Sequence, residues 1–457
     1  MPETWANGLD LHLSVPGTRV RAGLERALRD AVRAGRLRPG TRLPSSRALA
    51  ADLGIARNTV AEVYSQLAAE GWLTARAGSG TAVAERRAAA PGTPAQQPAE
   101  AAGPRYDLRP GVPDLNAFPR SAWLAAARTA LGAAPARLLG YPDPRGLPQL
   151  RSAVAGYLGR ARGVAADPGR VVICAGFAHG FAVTCRALRS AGVAGLAVEA
   201  YGHRAHRDIA AAAGLRLRAV PVDGQGAVLS AAQDADAVLL TPAHQFPLGV
   251  TLDPRRRREA AARGGVVIED DYDGEFRYDR QPVGALQALA PDRVVYAGTA
   301  SKALAPGLRI GWLVVPPRLL DAVIAELAAA AAGPSALDQL TLAEFIGSGG
   351  YDRQVRRARL ACRRRRDRLV AALRGRGARV TGIAAGLHAV CEVPGTAAER
   401  ALVARAAGHG LALDGLGHYR AGQAAGPADD RAGLVIGYAR PPEHAYTTAL
   451  ARLLAVL

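Results

Sequence analysis

Of the 58 lysine and arginine side chains in this 457-residue sequence, one is a lysine: Lys302, in the stretch YAGTASKALAPGLRIGW. A lysine that loses its proton when buried near cations attacks a carbonyl and forms a Schiff base; a guanidinium does not. A chain that uses arginine at every other such position keeps this amine either for its chemistry or by chance at the surface. The neighbours decide between the two. Lys302 follows the apolar run RVVYAGTAS, with Thr299 just before it and Arg309 just after. An aldehyde bearing a phosphate needs an amine, a hydroxyl and an arginine close together. Upstream, GGVVIEDDYDGEF carries a second apolar run into Asp270, Asp271 and Tyr272. A carboxylate at a strand end can hold a pyridinium nitrogen protonated, and a tyrosine hydroxyl can bond a phenolic ring oxygen. Further upstream, VVICAGFAHG reads as strand, glycine turn and helix start, a phosphate cradle of open α/β sheets. Each feature alone is more often structural. All of them at strand ends, in this order, point to a bound phosphorylated aldehyde.

The elements that must position these groups are legible as patterns. Seven apolar, β-branched runs, RVVICAG, AGLAVEA, LRLRAVPV, ADAVLLTPA, GGVVIEDDY, RVVYAGTAS and RIGWLVVP, are interspersed with alanine-rich helical segments. That alternation predicts a mostly parallel sheet covered on both faces, an α/β fold. After about Pro334 the pattern turns more helical with a few strands, predicting a smaller α+β part. The segment 85–105, rich in Ala, Pro and Gln without apolar periodicity, reads as a flexible linker. The chain is therefore expected to be multidomain. Residues 1–84 form one domain and 106–457 another, the latter with a large part over about 140–333 and a small part over about 334–457.

Residues 1–84 read as helix, helix, helix and hairpin. Val20, Leu24, Leu28 and Val32 recur at helical spacing. SSRALAADLG follows with a serine start and a glycine stop. ARNTVAEVYSQLAAEG follows that, with Val60, Val63, Tyr64 and Leu67 on one face. Two short strands around AGSG close the unit. Two short helices joined by a tight turn place the second in the major groove of double-stranded DNA. Arg57, Asn58 and Thr59 begin that helix, and Arg and Asn side chains can read guanine and adenine edges. Ser45, Ser46 and Arg47 open the preceding helix, placed for phosphate. The glycine-rich hairpin with Arg76 reads as a wing against the DNA backbone or minor groove.

The net charge of +19 favours anionic partners. Two arginine runs, 255–258 and 353–368, read as solvated helix faces rather than DNA contacts. The cysteines, Cys174, Cys185, Cys362 and Cys391, lack metal-ligand or redox spacing and read as core residues of a reducing cytosol. No metal site, signal pattern or uncharged membrane-length run is seen, so a soluble cytoplasmic protein with no membrane partner is expected.

The stretch GRLRPGTRLPSSRALAADLGIARNTVAEVYSQLAAEGWLTARAGSG resembles the winged helix of GntR-type transcription regulators. The resemblance implies that Arg47, Arg57, Asn58, Thr59 and the wing from Gly78 to Gly80 contact an operator, with paired half-sites and a homodimer. The phrases LRPGVPDLNAFP, LLGYPDPRGLPQLR, TPAHQFPLGVTL, IEDDYDGEFRY and GTASKALAPGLRIGW resemble fold-type I pyridoxal-phosphate enzymes of the aspartate aminotransferase group. Fused, the two halves are similar to MocR-type regulators. The resemblance implies pyridoxal 5'-phosphate as cofactor, joined to Lys302 as a Schiff base. It implies that Asp270 pairs with the pyridine nitrogen and Tyr272 with the ring oxygen. Gly176, Phe177 and Ala178 would cradle the phosphate with Thr299 and Arg309, and Tyr141 would reach the phosphate of the neighbouring subunit. His244 and Gln245 would lie on the cofactor's edge. Two phrases depart from the pattern. VEAYGHR puts His203 where relatives stack a tyrosine on the ring. LVIGYA puts Val435 where transaminases hold the substrate carboxylate with an arginine, although Arg431 and Arg440 are near in sequence. The expected function is a regulator that senses pyridoxal phosphate or an amino acid, controlling vitamin B6 biosynthesis or amino acid metabolism. The alternatives are an active aminotransferase carrying a DNA-binding domain, and an ordinary GntR regulator with a different effector.

Overall fold

The computed structural model describes residues 20–76, 80–85, 104–278, 283–330, 333–421 and 431–457. The chain divides into two units, Met1–Ala101 and Ala102–Leu457. Most of the expected linker (86–103) and Gly78 lie outside the described residues, and of Arg76 only the backbone is described.

In the first unit the apolar stripes become the faces of three helices. α1 (Val20–Arg33) buries Leu24, Leu28 and Ala31. α2 (Ser46–Leu53) is capped by Ser45, whose hydroxyl accepts the Ala48 N–H at 3.1 Å, and stops at Gly54 in the left-handed region, φ 63°. α3 (Arg57–Ala69) buries Val60, Val63, Tyr64 and Leu67, the four residues its spacing singled out. The antiparallel hairpin of β1 (Leu73–Arg76) and β2 (Gly80–Val83) closes the same core through Leu73 and Val83. Each large side chain fully buried there contributes about 1.5–3 kcal/mol.

The second unit holds all seven predicted strands in one sheet. They are β3 (Val171–Cys174), β4 (Gly195–Glu199), β5 (Arg216–Val220), β6 (Ala237–Leu240), β7 (Val266–Asp270), β8 (Val294–Thr299) and β9 (Gly311–Val314). Their spatial order is β3-β9-β8-β7-β6-β4-β5. β4 to β8 run parallel, whereas β9 is antiparallel to both its neighbours. Alternation along β9 explains why it reads as unbroken apolar sequence: Trp312 and Val314 face one core, Leu313 the other. α4 (Arg120–Ala133) and α5 (Pro148–Arg162) lie beside the sheet. α6 (Phe177–Ser190), α7 (Arg204–Ala212), α8 (Pro254–Ala262) and α9 (Pro317–Ala330) follow individual strands.

The small part differs from its expected limits. α10 (Ala336–Gly347) packs on α4 and α5 and puts Leu342, Phe345 and Ile346 into the large part's core. Both α4 and α10 thus belong with the sheet, because their apolar faces are buried there. The small part proper consists of α11 (Gly350–Arg374), α12 (Thr396–Gly408), α13 (Glu443–Val456) and a four-stranded sheet. That sheet contains β10 (Val380–Thr381), β11 (His388–Glu392), β12 (Asp414–Gly415) and β13 (Gly433–Gly437), in the order β10-β11-β13-β12. The arginine runs are not uniformly solvated. Arg257 and Arg365 are buried, and Arg365 binds Asp114, Glu443 and the carbonyls of Ala439 and Pro441. No helix among the described residues is long and apolar enough to cross a membrane.

Candidate functional site

Parallel strands end together, so the residues at their carboxyl ends converge. Glu199 closes β4, Asp270 closes β7, Thr299 closes β8, and Gly176 follows β3. These residues line one cavity of about 200 Å³ with Lys302, Tyr272 and Arg309.

At one end of the cavity Gly176 caps α6 with φ 81° and ψ 174°, leaving Phe177 and Ala178 in the first helical turn. The N-terminus of a helix carries free N–H groups and a partial positive charge. Thr299 Oγ1 is 2.8 Å from Ser301 Oγ. Arg309 is the single non-glycine residue with positive φ, 52°, among the described residues. That backbone turn aims its guanidinium back at the glycine: a Cβ on Gly176 would sit 3.6 Å from Arg309 Nη1. Hydroxyls, helix terminus and guanidinium together form an anion cradle.

In the middle, Lys302 Nζ donates to the Gly111 carbonyl at 2.6 Å. Burial lowers the pKa of this amine, while Asp270 and Asp273 oppose the shift. Asp270 is buried, and its Oδ1 has no hydrogen-bond partner. Burial pushes its carboxyl well up, against the pull of Lys302. An unpartnered buried carboxyl costs roughly 1–3 kcal/mol, and a protonated ring nitrogen would supply the missing partner. The cradle, amine and carboxyl therefore fit pyridoxal phosphate at its phosphate, aldehyde and pyridine nitrogen respectively.

The remaining predicted residues fall in three places. His203 lies in the cavity wall, with its ring parallel to Phe246 at 4.0 Å between centroids and 13° between planes. Burial depresses its pKa well below the usual range, so the ring is neutral. His244 and Gln245 do not reach the cavity wall. His244 sits behind Tyr272, whose hydroxyl is 3.1 Å from its Nδ1. Gln245 donates to the carbonyls of Tyr201 and Phe246. Tyr141 is fully exposed on the surface, away from the cavity of its own chain.

Sequence reasoning missed Gly111, Glu199, Phe246 and Ser301. A glycine between two prolines in LRPGVPD and an acid ending an apolar run in VEAYGHR were the available signals. Glu199 accepts from Thr241 Oγ1 at 2.5 Å and from Gln245 Nε2 at 3.3 Å. Burial raises its carboxyl to about 7. Val435 is fully buried in an apolar cluster with Tyr201, Phe246 and Val390. Arg440 is bound to Asp107 at 2.9 Å and Arg431 to the Val222 carbonyl at 2.6 Å. Neither arginine lines the cavity. Arg207 does, but it is spent on the carbonyls of Gly202, Tyr419 and Arg420.

In the first unit, Ser45, Arg47, Arg57 and Asn58 are exposed, while Ser46 and Thr59 are half-buried. α3 starts at Ala56 with no side-chain cap, so its first-turn N–H groups remain open to an outside acceptor. The hairpin that would form the wing is present through Arg76 and Gly80.

Comparison with known proteins matches each unit. Residues 21–83 match the model of bacterial regulatory proteins of the gntR family, and residues 111–409 that of aminotransferase class I and II. The chain is 33% identical to the HTH-type pyridoxine biosynthesis transcriptional regulator PdxR of Corynebacterium glutamicum over 456 residues, 95% of each chain. It is 35% identical to the probable rhizopine catabolism regulatory protein MocR of Rhizobium meliloti, covering 77% of this chain and 76% of that one. In fold it is similar to an archaeal alanine:glyoxylate aminotransferase, with TM-score 0.68, 22% identity, and coverage of 77% of this chain and 90% of that one. Aspartate aminotransferase of Thermus thermophilus with maleate gives 0.64, 21%, 77% and 91%.

Proposed function

The chain belongs to the MocR-type subgroup of GntR-family transcription regulators, and from that premise we propose that it holds pyridoxal phosphate at Lys302 and changes its hold on operator DNA in response. One observation carries the choice of effector. A cavity that offers an anion cradle, an amine and an unpartnered carboxyl has no free cation left for a substrate carboxylate. Val435 stands in an apolar cluster where such a cation would be, and Arg431 and Arg440 are engaged elsewhere. This supports sensing of pyridoxal phosphate itself over turnover of amino acids.

When bound, pyridoxal phosphate supplies an electrophilic aldehyde and a protonatable ring. The chain's own groups account for its retention. The α6 terminus, Thr299 and Arg309 hold the phosphate charge. Asp270 keeps a proton on the ring nitrogen, and the buried amine of Lys302 is kept partly neutral by desolvation. Neutral His203 and Phe246 exclude water from one face. Differential affinity of the ligand for two states of the protein then shifts the operator-binding population. The working unit is a homodimer, to which the exposed Tyr141 is offered as a contact for the second copy. The controlled genes would be those that form the vitamer, as the name of the Corynebacterium relative suggests. Absorbance titration of the full chain with pyridoxal phosphate tests the ligand assignment: a visible band that survives dialysis and is fixed by borohydride at Lys302 is expected. A band equally strong in Lys302→Ala would refute it.

A further inference from the structure

Behind the cavity wall lies a carboxylate–imidazole pair that none of these roles uses. His244 Nδ1 is 2.8 Å from Asp273 Oδ2 and 3.1 Å from the Tyr272 hydroxyl. Both residues are buried, His244 to 3% exposure and Asp273 to 2%. The small part closes tightly on them. A Cβ at Gly386, where φ is +77°, would meet His244 Cε1 at 2.1 Å and Asp273 Oδ2 at 2.8 Å. The Gly386 carbonyl is itself held by the hydroxyls of Tyr278 and Tyr438, each at 2.6 Å. The ring therefore has no room to retreat from Tyr272.

Resting on the reading that Tyr272 faces bound pyridoxal phosphate, we infer that Asp273 and His244 are positioning residues that turn the Tyr272 hydroxyl hydrogen toward the cavity. Nδ1 carries at most one hydrogen. A carboxylate oxygen and a ring nitrogen at 2.8 Å need a proton between them, so Asp273 selects the tautomer with hydrogen on Nδ1. That nitrogen then has no lone pair for the phenol's hydrogen and can only donate toward the phenol oxygen. Burial and Asp273 both keep the phenol protonated. The group presented to a ligand is thus a hydrogen-bond donor suited to a phenolic ring oxygen. The other titratable groups around it are Asp270, Lys302, Tyr438 and His388. The His388 ring stands 5.2 Å from that of His244 and is kept neutral by burial, at about 3. In Asp273→Asn the amide can donate to Nδ1. The tautomer inverts, and Nδ1 takes the Tyr272 hydrogen.

The test reads the visible absorbance of the full chain loaded with pyridoxal phosphate as a function of pH. Tyr272→Phe should move the spectral midpoint by about one pH unit, the size of a lost charge-assisted hydrogen bond. Asp273→Asn should move it in the same direction by at least half as much, and the double variant no further than Tyr272→Phe alone. Should Asp273→Asn not fold, His244→Phe is read instead. It frees Asp273 to take the phenol hydrogen, and the midpoint should again follow Tyr272→Phe. The inference is overturned if Asp273→Asn or its substitute leaves the midpoint unchanged, or shifts it equally with Tyr272 absent. If the wild type develops no band, the ligand reading itself fails, an outcome distinct from both.

Discussion

Lys302 Nζ and the carbonyl oxygen of Gly111 are joined by a 2.6 Å hydrogen bond. The lysine follows β8 of the large part. Gly111 belongs to a segment tied to the small part, where Leu108 N–H donates to Ala412 and Gly437 N–H donates to Leu108. The only lysine of the chain thus rests on a neutral acceptor rather than a salt-bridged carboxylate, and its burial favours the uncharged, nucleophilic form. An amine used only for its charge is better served by arginine, as the rest of this sequence shows.

Lys302→Arg retains a cation at the site and removes the amine. It should lose the visible band with pyridoxal phosphate entirely while its melting temperature in the ligand-free state changes by a few degrees at most. Absorbance titration and differential scanning fluorimetry measure the two.

Glu199 gives a pH-dependent prediction. Its carboxyl is raised from 4.5 to about 7, first by burial, with hydrogen bonds from Thr241 and Gln245 opposing. The folded chain therefore holds this proton more tightly than the unfolded chain. The resulting penalty is absent below about pH 4.5, grows as pH rises through the window, and is complete above about pH 7. Asp270, also raised by burial, acts with the same sign. Glu199→Gln should stabilise the ligand-free protein by about 1–3 kcal/mol at pH 8 and by nothing measurable at pH 4. Denaturation at both pH values checks it; equal effects at both would contradict the assignment.

Restoring an arginine at 435 should not create an aminotransferase. Val435 is enclosed by Tyr201, Phe246 and Val390, with no carboxylate in that cluster to receive a charge. Val435→Arg should cost roughly 3–5 kcal/mol, the scale of an uncompensated buried charge. It should show no amino-group transfer to an oxo acid, measured by product formation alongside thermal melting.

Arg57 and Asn58 stand exposed at the uncapped start of α3. Arg57→Ala should weaken operator binding by about 5- to 150-fold. The cofactor band should be unchanged. Fluorescence anisotropy with labelled operator at fixed salt, beside an absorbance spectrum, separates the two effects.

The sheet and the first unit were legible because their signals are local. Seven apolar runs became seven strands, and Val60, Val63, Tyr64 and Leu67 lie on one buried face as their spacing required. The orientation of β9 was not legible, since Trp312 and Leu313 bury opposite faces whichever way the strand runs. The place of α10 depended on α4, far away in sequence. At the site, Lys302, Asp270, Thr299 and Gly176 announced themselves as strand-end residues. His244 was expected at the cofactor's edge and lies behind Tyr272, because only packing against Gly386 and Asp273 fixes where its ring goes. Gly111 meets Lys302 across 191 residues, a pairing that no local pattern encodes.

The central claim is that occupancy of the Lys302 cavity by pyridoxal phosphate controls operator binding. Its most direct test is the operator affinity of the full-length protein, measured by anisotropy with and without saturating pyridoxal phosphate, for wild type and Lys302→Ala. The account predicts a change of about 5- to 150-fold in the wild type and none in the variant. An operator affinity that is the same with and without pyridoxal phosphate in the wild type, or that changes equally in Lys302→Ala, would contradict it.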